Sequence, residues 1–215
     1  MAYRQTESVA RRLEENRRRI LKAARELVAE GGFAKAQITA VAKRAGLATG
    51  TLYRYFPSKD DLCCQVFREV SSREMNILAG IAAADHPALD RFDLVLRTFS
   101  GRALKSRRLA YALLAEPVDV ALAEERTRFR KTHAAIFACI IDDAIAEGMV
   151  TPRDSKLVAA CIAGAIPTAL VGPLAPETDA QGNDDVLNSI VQFCFGALGV
   201  TARQTATKTK LESRV

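Results

Sequence analysis

Apolar positions recur along most of this chain with the spacing of a helix, and almost nowhere with the alternation of a strand. Ile20, Ala23, Ala24, Leu27 and Val28 fall at i, i+3, i+4, i+7 and i+8, which puts one apolar stripe on a first helix. Gly31 and Gly32 end it, because glycine enters the left-handed conformation of a helix terminus at little cost. A short second helix is predicted from about Ile38 to Ala45, with Ile38, Val41, Ala42 and Ala45 inward and Gly46 closing it. A third follows within two or three residues, from about Ala48 to Tyr55, and Phe56-Pro57 breaks it. Ser58 then reads as an N-cap with the Asp61 carboxylate three residues on, opening a fourth helix that runs past Met75 towards Ile81.

Further helices are predicted at about 88–104, 107–115, 118–147, 154–171 and 184–199. Breaks fall at Glu116-Pro117, Gly148 to Pro152 and Pro173 to Asn183, and Pro167 should kink its helix or mark its end. With no Asn-Gly or Asp-Gly turn, strand signals are nearly absent, and the expected fold is all-α with about nine helices. The organisation reads as a helix-turn-helix module over residues 1–60, a helical body over 61–200 and a tail over 201–215. Residues 1–16 are taken as a basic extension, and the tail, polar and without a stripe, as disordered.

Charge separates module from body. Residues 1–61 carry 13 Lys and Arg against 7 Asp and Glu, whereas residues 62–215 carry 18 of each. The whole surplus of the chain therefore sits in its first quarter, which suits a polyanionic partner there, the alternative being a solvated Arg-rich helix. The longest apolar run, Leu157 to Leu174, is interrupted by Pro167 and Pro173, and no membrane span is expected. The polar N-terminus lacks the apolar stretch of a secretory signal, so the expected location is cytoplasmic.

Five cysteines, Cys63, Cys64, Cys139, Cys161 and Cys194, form no C-x-x-C pair and are odd in number. They read as small semi-buried apolar residues rather than as a disulfide framework, the alternative being a redox or metal site. The chain has two histidines, no G-x-x-x-x-G-K-[ST] loop, no H-E-x-x-H and no G-x-S-x-G, so neither an enzyme nor a cofactor or metal is expected.

Two short helices across a glycine turn, packed on a longer first helix, make a helix-turn-helix. Leu47, Leu52 and Phe56 supply its apolar underside, leaving Thr49, Gly50, Thr51, Tyr53 and Arg54 as a slim polar face suited to base edges and phosphates. The stretch ITAVAKRAGLATGTLYRYFPSKDDL, with its Ala45-Gly46 turn, Gly50-Thr51-Leu52-Tyr53 core and Tyr55-Phe56-Pro57-Ser58-Lys59 exit, resembles the DNA-binding signature of the TetR family of regulators. The likeness spans roughly Ile20 to Leu62, and the body resembles the family only in helix pattern and length. Carried over, it implies that Thr39, Tyr53 and Lys59 meet the phosphate backbone, with Arg54 near Tyr53. Thr49, Gly50 and Thr51 would face base edges, and Arg44 either bases or phosphates. Ala48 stands where the family often has Ser, and Thr49 where Lys is frequent, so a helix cap and a guanine or phosphate contact are lost.

The resemblance also implies a homodimer on double-stranded operator DNA, joined through the last two long helices, and a ligand pocket in the body. Ala159, Ala160, Ala163 and Gly164 offer a narrow packing face, and Val186, Ile190, Val191, Phe193, Cys194 and Leu198 supply bulk. The pocket is expected among Phe92, Leu96, Phe99, Tyr111, Leu114, Arg130, His133 and Phe137. Arg126, Arg128, Arg130 and Lys131 would neutralise the head of an anionic effector such as a fatty acid or acyl-CoA, or else form a solvated face paired with Glu124 and Glu125. The function implied is repression relieved by an unidentified small molecule. The alternative is a DNA-binding regulator without such a ligand, controlled by a protein partner.

Overall fold

The structure, a computed structural model, describes residues 2–178 and 182–200. Its elements are α1 (Ala2–Gly31), a 3-10 turn (Phe33–Lys35), α2 (Ile38–Ala45), α3 (Thr49–Tyr53) and α4 (Lys59–Ala82). They continue with α5 (Ala88–Lys105), α6 (Arg107–Leu114), α7 (Val120–Ala146), α8 (Ser155–Leu174) and α9 (Asn183–Ala197). Among the described residues there is no strand. The tail from Thr201, expected to be disordered, lies outside the described residues.

Three helix starts rest on side-chain caps. The Ser58 hydroxyl accepts from the Asp61 N–H, the Asp119 carboxylate from Leu122 and the Asp154 carboxylate from Leu157, each relieving an orphan amide of a first turn.

Two expectations need correction. Residues 1–16 are not a basic extension: Arg4, Arg11 and Arg12 are balanced by Glu7, Glu14 and Glu15, and from Ala2 onward they form the first half of α1. Pro167 does not end α8, which continues through it and Pro173 to Leu174. By length and composition α8 could cross a membrane; here Ala159, Ile162, Ala163, Ile166, Leu170 and Leu174 are buried against the rest of the body.

Two hydrophobic cores form. The first gathers the stripe of α1 (Ile20, Ala24, Val28) with Val41, Leu52 and Phe56. It reaches past residue 60, taking in Leu62, Val66 and Phe67 of α4, Ala112 of α6 and Leu122 of α7. The second lies among α4, α5, α7, α8 and α9, around a cluster in which Phe92 meets Phe137 and Phe195 edge-on at 5.6 and 5.3 Å between ring centres. Phe129 packs against both cores.

Candidate nucleic-acid interface

The turn between α2 and α3 is set by Gly46, at φ +64°, whose N–H caps α2 on the carbonyls of Ala42 and Lys43. Only a residue without a Cβ takes this conformation freely. A guanidinium nitrogen of Arg19 donates to the Ala45 carbonyl at 2.6 Å, placing a cation at the negative end of α2. Leu52 and Phe56, both fully buried, anchor the underside of α3 as the sequence predicts.

Burial of that underside turns the other face outward. Thr39, Thr49, Gly50, Tyr53 and Arg54 are exposed, Tyr53 to 54%, while Thr51 and Lys59 are half-buried. Lys59 is the first residue of α4, directly after the Ser58 cap. Ala48, the N-cap of α3, makes no side-chain cap, as its lack of a hydroxyl dictates. Arg44 is engaged elsewhere: its guanidinium forms a two-pronged pair with Glu30 of α1, which holds that carboxyl below its usual range. To reach DNA, Arg44 must leave that partner.

The middle of α1 braces the exit from α3 in ways that the sequence pattern does not reveal. The Asn16 amide donates to the Tyr55 hydroxyl at 3.2 Å, and the Arg17 guanidinium lies 5.2 Å from the centre of the Phe56 ring. No apolar periodicity marks these positions, so only the fold brings them together.

The body holds a cavity of about 240 Å³ between α4, α5, α6 and α7. Its α4 side is Phe67, Val70, Ser71 and Glu74, and its α6 side includes Leu109, Leu113 and Leu114. Phe99 of α5 and Phe129 of α7 form an aromatic wall, while Arg102, Lys105 and Ser106 are solvent-exposed and mark the mouth. Glu74 pairs with Arg102 there at 2.9 Å.

The expected pocket residues are thus only partly brought together. Phe99 and Leu114 line the cavity. Phe92, Leu96 and Phe137 do not; they are fully buried in the second core, because an apolar stripe alone does not distinguish packed from lining positions. Tyr111 packs on that core half-buried, and His133 is fully buried against Phe99, Phe129 and Phe137 without lining the cavity. Arg130 is exposed and bonds to Thr127, so it does not reach the cavity.

Arg126 instead donates to the carbonyls of Leu113 and Ala112 at 2.7 Å each, holding the end of α6. Glu125 is paired with Arg68 and Arg128, each at 2.8 Å, and Arg68 holds its carboxyl below the usual range. The cavity charges sit on α4 and α5 instead. Phe67, Val70, Ser71 and Glu74 follow an i, i+3, i+4, i+7 spacing that could have revealed α4 as a wall rather than a plain connector.

Cys63, Cys64 and Cys194 are buried, and burial raises the Cys63 and Cys194 thiols to about 12; Cys139 and Cys161 are exposed. Among the described residues no three or more His, Cys, Asp or Glu side chains gather where they could hold a metal ion.

Residues 20–66 match the family model described as bacterial regulatory proteins, tetR family. The chain is 47% identical over 66 residues to the HTH-type transcriptional repressor KstR of Rhodococcus jostii, a stretch covering 29% of this chain and 31% of that relative. It is 44% identical over 50 residues to the fatty acid metabolism regulator protein of Bacillus subtilis, covering 23% of this chain and 26% of the relative. The matched stretches thus span less than a third of the length of these curated relatives. The fold is that of the transcriptional regulator FadR from Bacillus subtilis in complex with stearoyl-CoA, with a TM-score of 0.67 and 24% identity over 80% of this chain and 96% of that one.

Proposed function

We propose that this chain, whose residues 20–66 match the model of the tetR family of bacterial regulatory proteins, is a repressor of that family binding a palindromic operator as a homodimer, released by a small, largely apolar effector. The observation that carries this reading is the exposed face of Thr49, Gly50, Tyr53 and Arg54, held on a buried Leu52–Phe56 anchor in the part of the chain that holds its positive surplus. Thr49, Gly50 and Thr51 would read base edges, while Thr39, Tyr53, Arg54 and Lys59 would meet phosphates and fix the register. Arg44 joins them on release from Glu30.

Two copies are needed to fill successive grooves about 34–36 Å apart. Leu157, Ala160, Cys161, Gly164, Thr168 and Val171 fall at helical spacing on the outer side of α8, and Phe193 projects from α9 with 60% of its surface exposed. Of the bulk expected on α9, Ile190, Val191, Cys194 and Leu198 are instead buried within the chain. The outer stripe and Phe193 would be the surface that a second copy covers, through an isologous interface.

The α4–α7 cavity supports an effector over control by a protein partner alone. It is apolar within, and at its mouth, where Glu74 already pairs with Arg102, Lys105 supplies the cation for an anionic head. The fatty acid metabolism regulator relative and the stearoyl-CoA of the FadR complex favour an aliphatic carboxylate or acyl thioester as the class. Such a ligand would act by favouring a spacing of the two modules that no longer fits both half-sites, with α4 linking cavity to Lys59. Selection from random duplexes by the purified chain should enrich an inverted repeat, released by an acyl-CoA or fatty acid. Enrichment of no sequence would overturn the DNA-binding reading; release by neither compound would overturn the effector class alone.

A further inference from the structure

His133 of α7 is fully buried, and neither of its ring nitrogens has a hydrogen-bond partner. Its ring lies among those of Phe99, Phe137 and Phe129, with centres 4.5, 4.7 and 6.0 Å away. Phe99 and Phe129 also line the cavity, so the imidazole packs against two of its wall residues without itself lining it. Among the described residues, the other buried side-chain polar atom without a partner is the hydroxyl of Ser100, next to Phe99 in α5.

Buried polar groups in folded proteins are almost always paired, because an unpaired one keeps its full desolvation cost. An apolar residue of similar size would fill the space among three phenylalanines without that cost. Burial also pushes the imidazole pKa down to about 4, so at neutral pH the ring is uncharged and offers one N–H donor and one acceptor nitrogen. Either nitrogen can therefore pair with a hydroxyl, which both donates and accepts, whereas a keto oxygen, which only accepts, can pair with the N–H alone. A carboxylate could accept from the N–H, but burying its charge beside an uncharged ring and three phenylalanines is costly.

At about 240 Å³ the cavity falls short of the roughly 300–1,000 Å³ usual for small-molecule sites. A ligand whose head meets Lys105 at the exposed mouth, beside the Arg102–Glu74 pair, would run inward against Phe99 and Phe129. Rotation of those rings would lengthen the cavity towards the imidazole packed against them.

We propose that His133 is a specificity-determining residue of the effector site, taking the hydroxyl or keto oxygen carried on the inner part of an aliphatic, anionic-headed ligand once the Phe99–Phe129 wall gives way. This rests on the reading of the α4–α7 cavity as the effector site.

Decanoic acid and 10-hydroxydecanoic acid are the probes, titrated calorimetrically into the full chain and into its His133→Leu variant. The wild-type chain should prefer the hydroxylated acid by about tenfold or more, as expected where a site would otherwise leave a buried polar group unpaired. His133→Leu should lose that preference. Because the chain has two histidines, nitrogen-15 labelling resolves the rings, and those of His133 should shift with the hydroxylated probe and not with decanoic acid. This wild-type measurement decides the matter if the variant does not fold. Equal wild-type affinities, an unchanged preference in the variant, or unmoved His133 nitrogens in the hydroxylated complex each overturn the proposal. Failure of both acids to bind overturns it too, and operator binding by the same sample then shows whether the DNA-binding reading stands apart from it.

Discussion

The carboxylate of Glu116 accepts a hydrogen bond from the backbone N–H of Phe33 at 2.9 Å, across 83 residues of chain, and a second from Ala34 at 3.3 Å. It thereby caps the turn that leaves α1 for the helix-turn-helix. Gly32, just before, has φ +77°, and a Cβ placed there would collide with the same carboxylate. Glu116 follows directly on α6, whose Leu109, Leu113 and Leu114 line the cavity. One short helix therefore touches both the candidate effector site and the DNA-binding module.

Removing that carboxylate should loosen the join. Glu116→Ala leaves two amides of the turn without their acceptor, and should cost about 1.5–3 kcal/mol, the range for hydrogen bonds to charged groups. Glu116→Gln, which keeps an acceptor, should cost less. Urea denaturation of the three proteins tests the order, and equal midpoints would show the contact to be idle.

Lys59 makes a sharper case because its two effects have opposite signs. A cation in the first turn of α4 opposes the helix dipole, so Lys59→Ala should leave folding stability unchanged or raise it by a few tenths of a kcal/mol. If Lys59 meets a phosphate, the same change should weaken operator binding about equally on all sequences and lower the salt slope by about 1 per subunit. Fluorescence anisotropy over a salt series reads both slope and affinity. An unaltered slope would remove Lys59 from the interface.

Most helices were legible because punctuation fixes their ends: Ser58 before α4, Glu116-Pro117 before α7, Gly148 to Pro152 before α8. The exposed face of α3 was legible for a related reason, since burying Leu52 and Phe56 dictates which side of it points out. The first half of α1 was not. Without a core to cover, its helix leaves little apolar periodicity, and Val9 and Leu13 stay exposed. The cavity was misplaced because a residue lining a void and one filling a core have the same spacing and polarity. Phe99 and Phe92 differ only in what stands opposite, which α4 and α6 decide for Phe99 and α7 and α9 for Phe92.

Acid should expose the cost of the buried imidazole. An unfolded histidine gains its proton near pH 6.5, whereas folded His133 does so only near pH 4. Between those values the unfolded chain binds the extra proton, so this group's contribution to stability falls as pH drops through that window, by about 3 kcal/mol in all. His133→Leu should remove that share of the acid lability. The difference between variant and wild type, followed by denaturation from pH 7 to pH 4, isolates it from the carboxylates, and a difference independent of pH would mean that the ring is not desolvated.

The outer face of α8 and α9 carries the last prediction. Leu157 is 62% exposed and Phe193 60%, and neither contributes to the cores that hold one chain together. Charging them, in a Leu157→Asp, Phe193→Arg double variant, should leave the fold of the single chain intact while breaking a two-copy assembly, since each copy would bury the new charges against its mate. Light scattering should move from dimer to monomer mass. With two half-sites no longer bridged, operator affinity should fall by about 10²–10⁴, the gain that joining two binding modules supplies. A double variant that keeps the dimer mass and its hold on the operator would place the seam elsewhere on the molecule.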